Sequence, residues 1–181
     1  MYLNNLLIKY YMEGNIYKKY KLFFLIIFLF FITGCIENNE LAKWGNAPNF
    51  KLKTIDGEVF NLSEYIGEIV LIDFMFVNCP PCQLEMDELK KIYNNFNDDI
   101  IMISISVLGA QDTNEDLRNF KDIYNAKWKF ALDTYDEDAT LKYNILSVPK
   151  IIIINKNGDI SYNHNGFTTS NIIIEEINKI I

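Results

Sequence analysis

Ile69-Val70-Leu71-Ile72-Asp73-Phe74-Met75-Phe76-Val77-Asn78-Cys79-Pro80-Pro81-Cys82 is the stretch whose reading decides the fold. Its apolar part, Ile69 to Val77, is nearly continuous and has the length of a central strand buried on both faces. From Pro80 to Asn95 the pattern changes. Leu84, Leu89, Ile92 and Tyr93 fall near helical spacing with charged residues between them, so a strand passes directly into a helix. Two cysteines sit at that junction, and one charged residue, Asp73, interrupts the strand.

Outward from this junction the pattern alternates. Upstream, Phe50, Leu52 and Ile55, the Asp56-Gly57 pair, then Val59 and Phe60 read as a hairpin, because Asp-Gly supplies the positive φ that tight turns need. Ser63 is placed to cap a short helical turn that Gly67 stops. Downstream, Ile100 to Ile105 reads as a second apolar strand, Asn114 to Tyr124 as a helix, Lys127 to Leu132 as a short strand and Asp136 to Tyr143 as helical. Val148-Pro149 then introduces a strand from Ile151 to Ile154. Asn157-Gly158 makes a turn, Ile160 to Tyr162 returns, and Ser170 is placed to cap an isoleucine-rich terminal helix. Alternating β and α units closed by a hairpin and a helix predict an α/β domain, a central mixed sheet flanked by helices with an N-terminal hairpin added.

The chemistry is carried by Cys79 and Cys82. At a helix start, free backbone N–H groups and the positive end of the helix dipole favour a thiolate, which makes Cys79 the expected nucleophile. Cys82 lies one turn on, where its sulfur can resolve a mixed disulfide. Pro80 and Pro81 fit the first helical turn but withhold two N–H donors, which predicts a less stabilised thiolate and a bias towards reduction. A purely structural disulfide is the plain alternative. A four-residue loop would contribute only about 2 kcal/mol in the chain-entropy treatment, against about 4.7 for a hundred-residue loop. Half of a metal site is another, but zinc needs further ligands and the chain has a single histidine, His164, placed beyond the second hairpin strand as a solvated loop residue. No metal and no cofactor are expected.

The third cysteine belongs to a different setting. Lys18, Lys19 and Lys21 precede an uncharged apolar run from Leu22 to Ile32, eleven residues long, which suits a signal-peptide core and falls short of the roughly 20 that span a bilayer. The run ends in Ile32-Thr33-Gly34-Cys35, which resembles the lipobox of prokaryotic lipoproteins, where cleavage precedes a cysteine that takes a diacylglycerol. Residues 1–34 are thus expected to be a leader, Cys35 the lipidation site, 35–46 a polar tether spanning at most about 40 Å, and 47–181 the domain. Met12 offers an alternative start with the same mature product. Removing the leader sets aside four lysines and one glutamate and takes the net charge from −7 to −10, so no nucleic-acid partner is expected.

Ala47-Pro48-Asn49-Phe50, the apolar strand through Phe74, the Cys-Pro-Pro-Cys pair and Ser147-Val148-Pro149 together resemble the TlpA/ResA-like branch of the thioredoxin superfamily from about Ala47 to the C-terminus. The resemblance implies a thioredoxin fold and thiol–disulfide oxidoreductase activity, reducing disulfide-containing extracytoplasmic client proteins with electrons from a membrane thiol donor. Cytochrome c maturation is among the processes it implies. With the lipid anchor it places the protein on the outer face of the cytoplasmic membrane. It also assigns residues: Pro149 as the cis-proline beside the disulfide, with a trans proline at a strand start as the alternative; Val148 as the backbone that pairs with substrate; Asp73 as the buried acid that exchanges a proton with Cys82; and Glu85 as an active-site glutamate. Asp73 as an edge acid and Glu85 as a solvated helix-face acid are the plain alternatives. Asn78 departs from the branch, where tryptophan usually precedes the first cysteine. A peroxiredoxin would need threonine where Phe76 stands, and a Sco-type copper protein would pair Cys-x-x-x-Cys with a histidine.

Overall fold

The computed structural model describes residues 45–181; the leader, Cys35, Met12 and all but the last two residues of the tether lie outside them. Strands β1 (Lys51–Lys53) and β2 (Val59–Asn61) pair antiparallel with Leu52 opposite Phe60, and Gly57 between them takes φ 91°, the conformation that the Asp-Gly turn requires. The main sheet holds β3 (Val70–Met75), β4 (Ile101–Ser106), β5 (Lys129–Leu132), β6 (Lys150–Ile154) and β7 (Ile160–Asn165) in the order β5-β4-β3-β6-β7. β3, β4 and β5 run parallel, and β6 and β7 are antiparallel additions. Helices α1 (Pro80–Phe96) and α2 (Asn114–Tyr124) connect the parallel strands, and the short α3 (Ala139–Lys142) and terminal α4 (Ser170–Asn178) follow β5 and β7.

β3 is central, and all six of its residues are buried. Pleating sends its side chains to two cores. Leu71 and Met75 pack with Met86, Leu89 and Ile92 of α1, Leu117 and Phe120 of α2, and Ile173 and Ile177 of α4. Val70, Ile72 and Phe74 pack instead against Phe50, Leu52, Phe60, Leu62, Ala139 and Tyr143. The second face is therefore covered chiefly by the N-terminal hairpin, whose Phe50 ring stacks on Phe60 and meets Tyr143 edge-on. Burying each such side chain is worth about 1.5–3 kcal/mol, so the hairpin is part of the core.

Four local expectations are corrected. The packed domain begins before Ala47, since Gly45 N–H donates to Asn157 O and Asn46 N–H to Asp159 Oδ1. Asn61 starts the 3₁₀ turn Leu62–Tyr65, while Ser63 donates to Asn61 Oδ1 instead of capping. The helix read over Asp136 to Tyr143 shrinks to α3, because Asp138 adopts φ 43° and caps from outside, accepting Leu141 N–H at 2.9 Å. His164 lies inside β7 opposite Ile151, its ring 6.0 Å from that of Tyr162; pairing with β6 carries the strand through residues of low strand propensity.

Candidate active site: the Cys79–Cys82 disulfide

β3 ends at Met75, and the turn from Phe76 closes with Cys79 N–H donating to Phe76 O at 3.2 Å. Cys79 is the N-cap of α1 in an extended conformation, Pro80 and Pro81 occupy the first two helical positions, and Cys82 the third. Cys79 and Cys82 are disulfide-bonded with Cα atoms 5.2 Å apart. The Cys82 N–H donates to Cys79 Sγ at 3.2 Å, so the first turn directs one backbone donor at the sulfur expected to be nucleophilic. Both cysteines are 2% exposed, although Pro80, Pro81 and Asn78 around them are exposed. In the disulfide state the sulfurs are covered, and the prolines and Asn78 form the surface.

The Val148–Pro149 peptide is cis, Pro149 is buried, and Val148 packs half-buried against the core that contains both cysteines. Gly166 N–H donates to Pro149 O at 2.7 Å, so the loop after β7 is fastened behind this proline. Beside Val148 an open cavity of about 320 Å³ is lined by Phe76, Leu108, Thr140 and Ile145 among others, without a charged side chain.

Asp73 lies mid-strand on the same pleat side as Leu71 and Met75, the side that α1 covers, and is buried. Ser104 Oγ donates to its Oδ2 at 2.7 Å and itself accepts the Trp128 indole N–H at 2.9 Å. Oδ1 has no partner. Burial drives the Asp73 pKa up to about 7, and the Ser104 hydrogen bond opposes it only in part. Glu85 is also buried: its Oε1 accepts the Thr168 N–H at 2.9 Å, and its Oε2 is unpartnered. Its pKa is raised by burial first and by the Asp73 charge second, so two protonatable carboxyls stand close together under α1. The edge-acid and solvated-acid alternatives are thereby removed.

Several members of the site are absent from the sequence reading. Ser104 sits within a run read simply as apolar, and its place in the period of two was the available signal. Thr168 and Glu88 carried no local signal, because their partners lie more than eighty residues away. Glu88 Oε2 accepts both the N–H and the Oγ–H of Ser170, so the first N–H of α4 is satisfied from α1, while the N-cap Thr169 makes no side-chain bond. Ser170 is therefore the first residue of α4, and its expected capping role falls to Glu88. Glu88 is held down to about 2 by Lys91 and Ser170.

A mixed five-stranded sheet, a disulfide at the strand-to-helix junction and a cis-proline immediately before β6 define a thioredoxin-fold thiol–disulfide oxidoreductase. More particularly, the chain belongs to the AhpC/TSA family, whose model matches residues 45–163. It is 30% identical over 123 residues to the thioredoxin-like protein YneN of Bacillus subtilis, covering 68% of this chain and 71% of that protein. To the thiol-disulfide oxidoreductase ResA of Bacillus cereus it is 26% identical over 175 residues, covering 90% and 98%. Among solved structures it is similar to the thioredoxin domain of a thiol-disulfide oxidoreductase from Bacteroides vulgatus, with a TM-score of 0.63, 25% identity and coverage of 74% and 93%. The fold is shared with StoA from Bacillus subtilis at a TM-score of 0.62, 20% identity and coverage of 72% and 97%.

Proposed function

We propose that this oxidoreductase works as a reductase of client-protein disulfides outside the cytoplasm, tethered through lipidated Cys35. The observation that carries the direction is the single first-turn N–H on Cys79 Sγ: with prolines at the first two positions, the thiolate lacks donors that would otherwise stabilise it and make the disulfide a strong oxidant. In the dithiol state Cys79 thiolate attacks a client sulfur, forming a mixed disulfide and releasing one client thiolate. Cys82 then gives up its proton and attacks Cys79 Sγ, which forms the intramolecular disulfide and releases the second client thiolate. Two electrons have passed to the client. Asp73 and Glu85, buried on the α1 side of the sheet with raised pKa values, are the groups suited to take the Cys82 proton near neutral pH. A membrane dithiol donor returns the pair to the reduced state, and Val148 offers its backbone to the client chain.

The location rests on Lys18 to Lys21, the apolar run and Ile32-Thr33-Gly34-Cys35. Cytochrome c maturation is the client process to which the family likeness points; the interchange protein of Chlorobium tepidum, 22% identical, shares the fold. The test is the equilibrium potential of the Cys79–Cys82 couple in defined thiol buffers. A value well below about −200 mV supports a reductase, one near −120 mV makes the protein an oxidant, and the absence of reversible titration removes the redox role. Cys35→Ala, followed by fractionation, tests the anchor: retention in the membrane fraction would refute it.

A further inference from the structure

Val77 stands two residues before Cys79, and both of its backbone polar groups are held by side chains from other elements. Its N–H donates to Asp112 Oδ2 at 2.9 Å, and that oxygen also accepts Ser106 Oγ–H at 2.7 Å. Its carbonyl accepts the Gln83 Nε2–H at 2.9 Å, from the residue that follows Cys82. The Gln83 backbone N–H closes the same loop on Cys79 O at 3.0 Å. The turn that presents Cys79 is thus gripped from the loop after β4 on one side and from α1 on the other. Water could satisfy a half-buried turn residue at little cost; here two side chains do so, which orders the turn.

The grip matters because of the prolines. Pro80 and Pro81 have no N–H, so the Cys82 N–H is the first-turn donor that reaches Cys79 Sγ. A charge-assisted hydrogen bond to a thiolate weakens steeply with misalignment, and with one such donor the placement of the sulfur decides how far the thiolate is stabilised. We propose that Gln83 and Asp112 are positioning residues that clamp Val77, hold Cys79 Sγ against the Cys82 N–H and so set the reactivity of the Cys79 thiol. This rests on the redox reading of the cysteine pair. In that reading the sulfur freed on reduction keeps the same turn and the same donor.

The test is the pH dependence of Cys79 alkylation in the full-length protein carrying Cys82→Ser, which keeps the residue 82 N–H, followed by the mass of the Cys79 peptide. Gln83→Met keeps the side-chain stem and helix propensity and removes only the amide. It is expected to raise the alkylation midpoint and slow the reaction at pH 7 about three- to tenfold, a loss of the size expected for one ordinary hydrogen bond. Asp112→Ala is expected to do the same, while Asp112→Asn, which still offers an oxygen to the Val77 N–H, stays within about twofold of the parent. The charge of Asp112 acts in the opposite direction, since deleting a carboxylate near a thiol eases its ionisation. A lowered midpoint in both Asp112 variants, or an unchanged midpoint in Gln83→Met, overturns the clamp. Disulfide–dithiol cycling of the parent with both cysteines separates the two readings: if it cycles and the variants show no shift, the clamp alone falls, and if it does not cycle, both fall.

Discussion

The Glu85 carboxylate accepts the Thr168 backbone N–H at 2.9 Å, which joins the helix carrying the disulfide to the loop that follows β7. Gly166 of that loop donates to Pro149 O, so the loop is bonded both to α1 through Glu85 and to the cis-proline. The consequences of disturbing this region differ with the residue that is changed.

Asp73 is expected to make the protein less stable as pH rises. Its pKa is raised in the fold to about 7 from an ordinary 3.8, so between these values the unfolded chain loses its proton while the folded one keeps it. Stability is therefore highest below about pH 4 with respect to this group and falls until about pH 7, after which the loss is complete. Asp73→Asn removes this dependence. Urea unfolding at pH 5 and pH 8 is expected to show the variant gaining on the parent by about 2–3 kcal/mol at the higher pH. Parallel pH profiles for the two proteins would contradict the raised pKa.

Ser104→Ala deletes the hydroxyl that steadies ionised Asp73. That hydrogen bond lowers the Asp73 pKa, so its loss moves the titration further upward. The pH midpoint of the step in which Cys82 releases the client is expected to rise, with the Cys79 alkylation profile unchanged. Stopped-flow reduction of a model disulfide across pH 6 to 9 reads the first quantity, and a shift of both profiles together would mean a general disturbance. The Trp128 indole loses its acceptor too, so a destabilisation of about 1 kcal/mol should accompany the change.

Glu88→Ala leaves the Ser170 N–H and Oγ–H without their acceptor and α4 without its borrowed cap. A loss of about 1 kcal/mol is expected, in the range of an N-cap deletion, with Glu88→Gln recovering part of it because an amide oxygen still accepts. Thermal unfolding of the three proteins measures this. Equal melting temperatures would show that water replaces Glu88 at no cost.

Gly45→Ala tests where the domain begins. A Cβ at this position would lie 2.4 Å from Asp159 Oδ1 and 2.5–2.6 Å from the backbone of Gly158 and Asp159, and backbone cannot give way as a flexible side chain can. The substitution is expected to detach residues 45 and 46 from the β6–β7 turn and expose this segment to limited proteolysis. Parent-like resistance would show that the turn can yield.

Elements whose signal is local were readable from the amino-acid order alone. The nearly continuous apolar run of β3, the helical spacing after Pro80, the Asp56-Gly57 turn and the cysteine pair at the junction each depend on neighbours a few residues away, and the structure has them at the expected positions. Asp73 was visible as a charge in an apolar strand, while its role and the choice of Glu85 came from the resemblance to the TlpA/ResA-like branch. The protonation of both acids follows from packing, since burial and the Ser104 and Thr168 hydrogen bonds come from segments distant in the chain. The same holds for Glu88 capping a helix that begins eighty-two residues later, for His164 drawn into β7 by pairing with β6, and for Asp112 meeting Val77. Propensity and periodicity act over one or two turns of chain. Desolvation and the pairing of polar groups are settled by whatever the fold brings into contact, and most of the chemistry beside this disulfide was settled there.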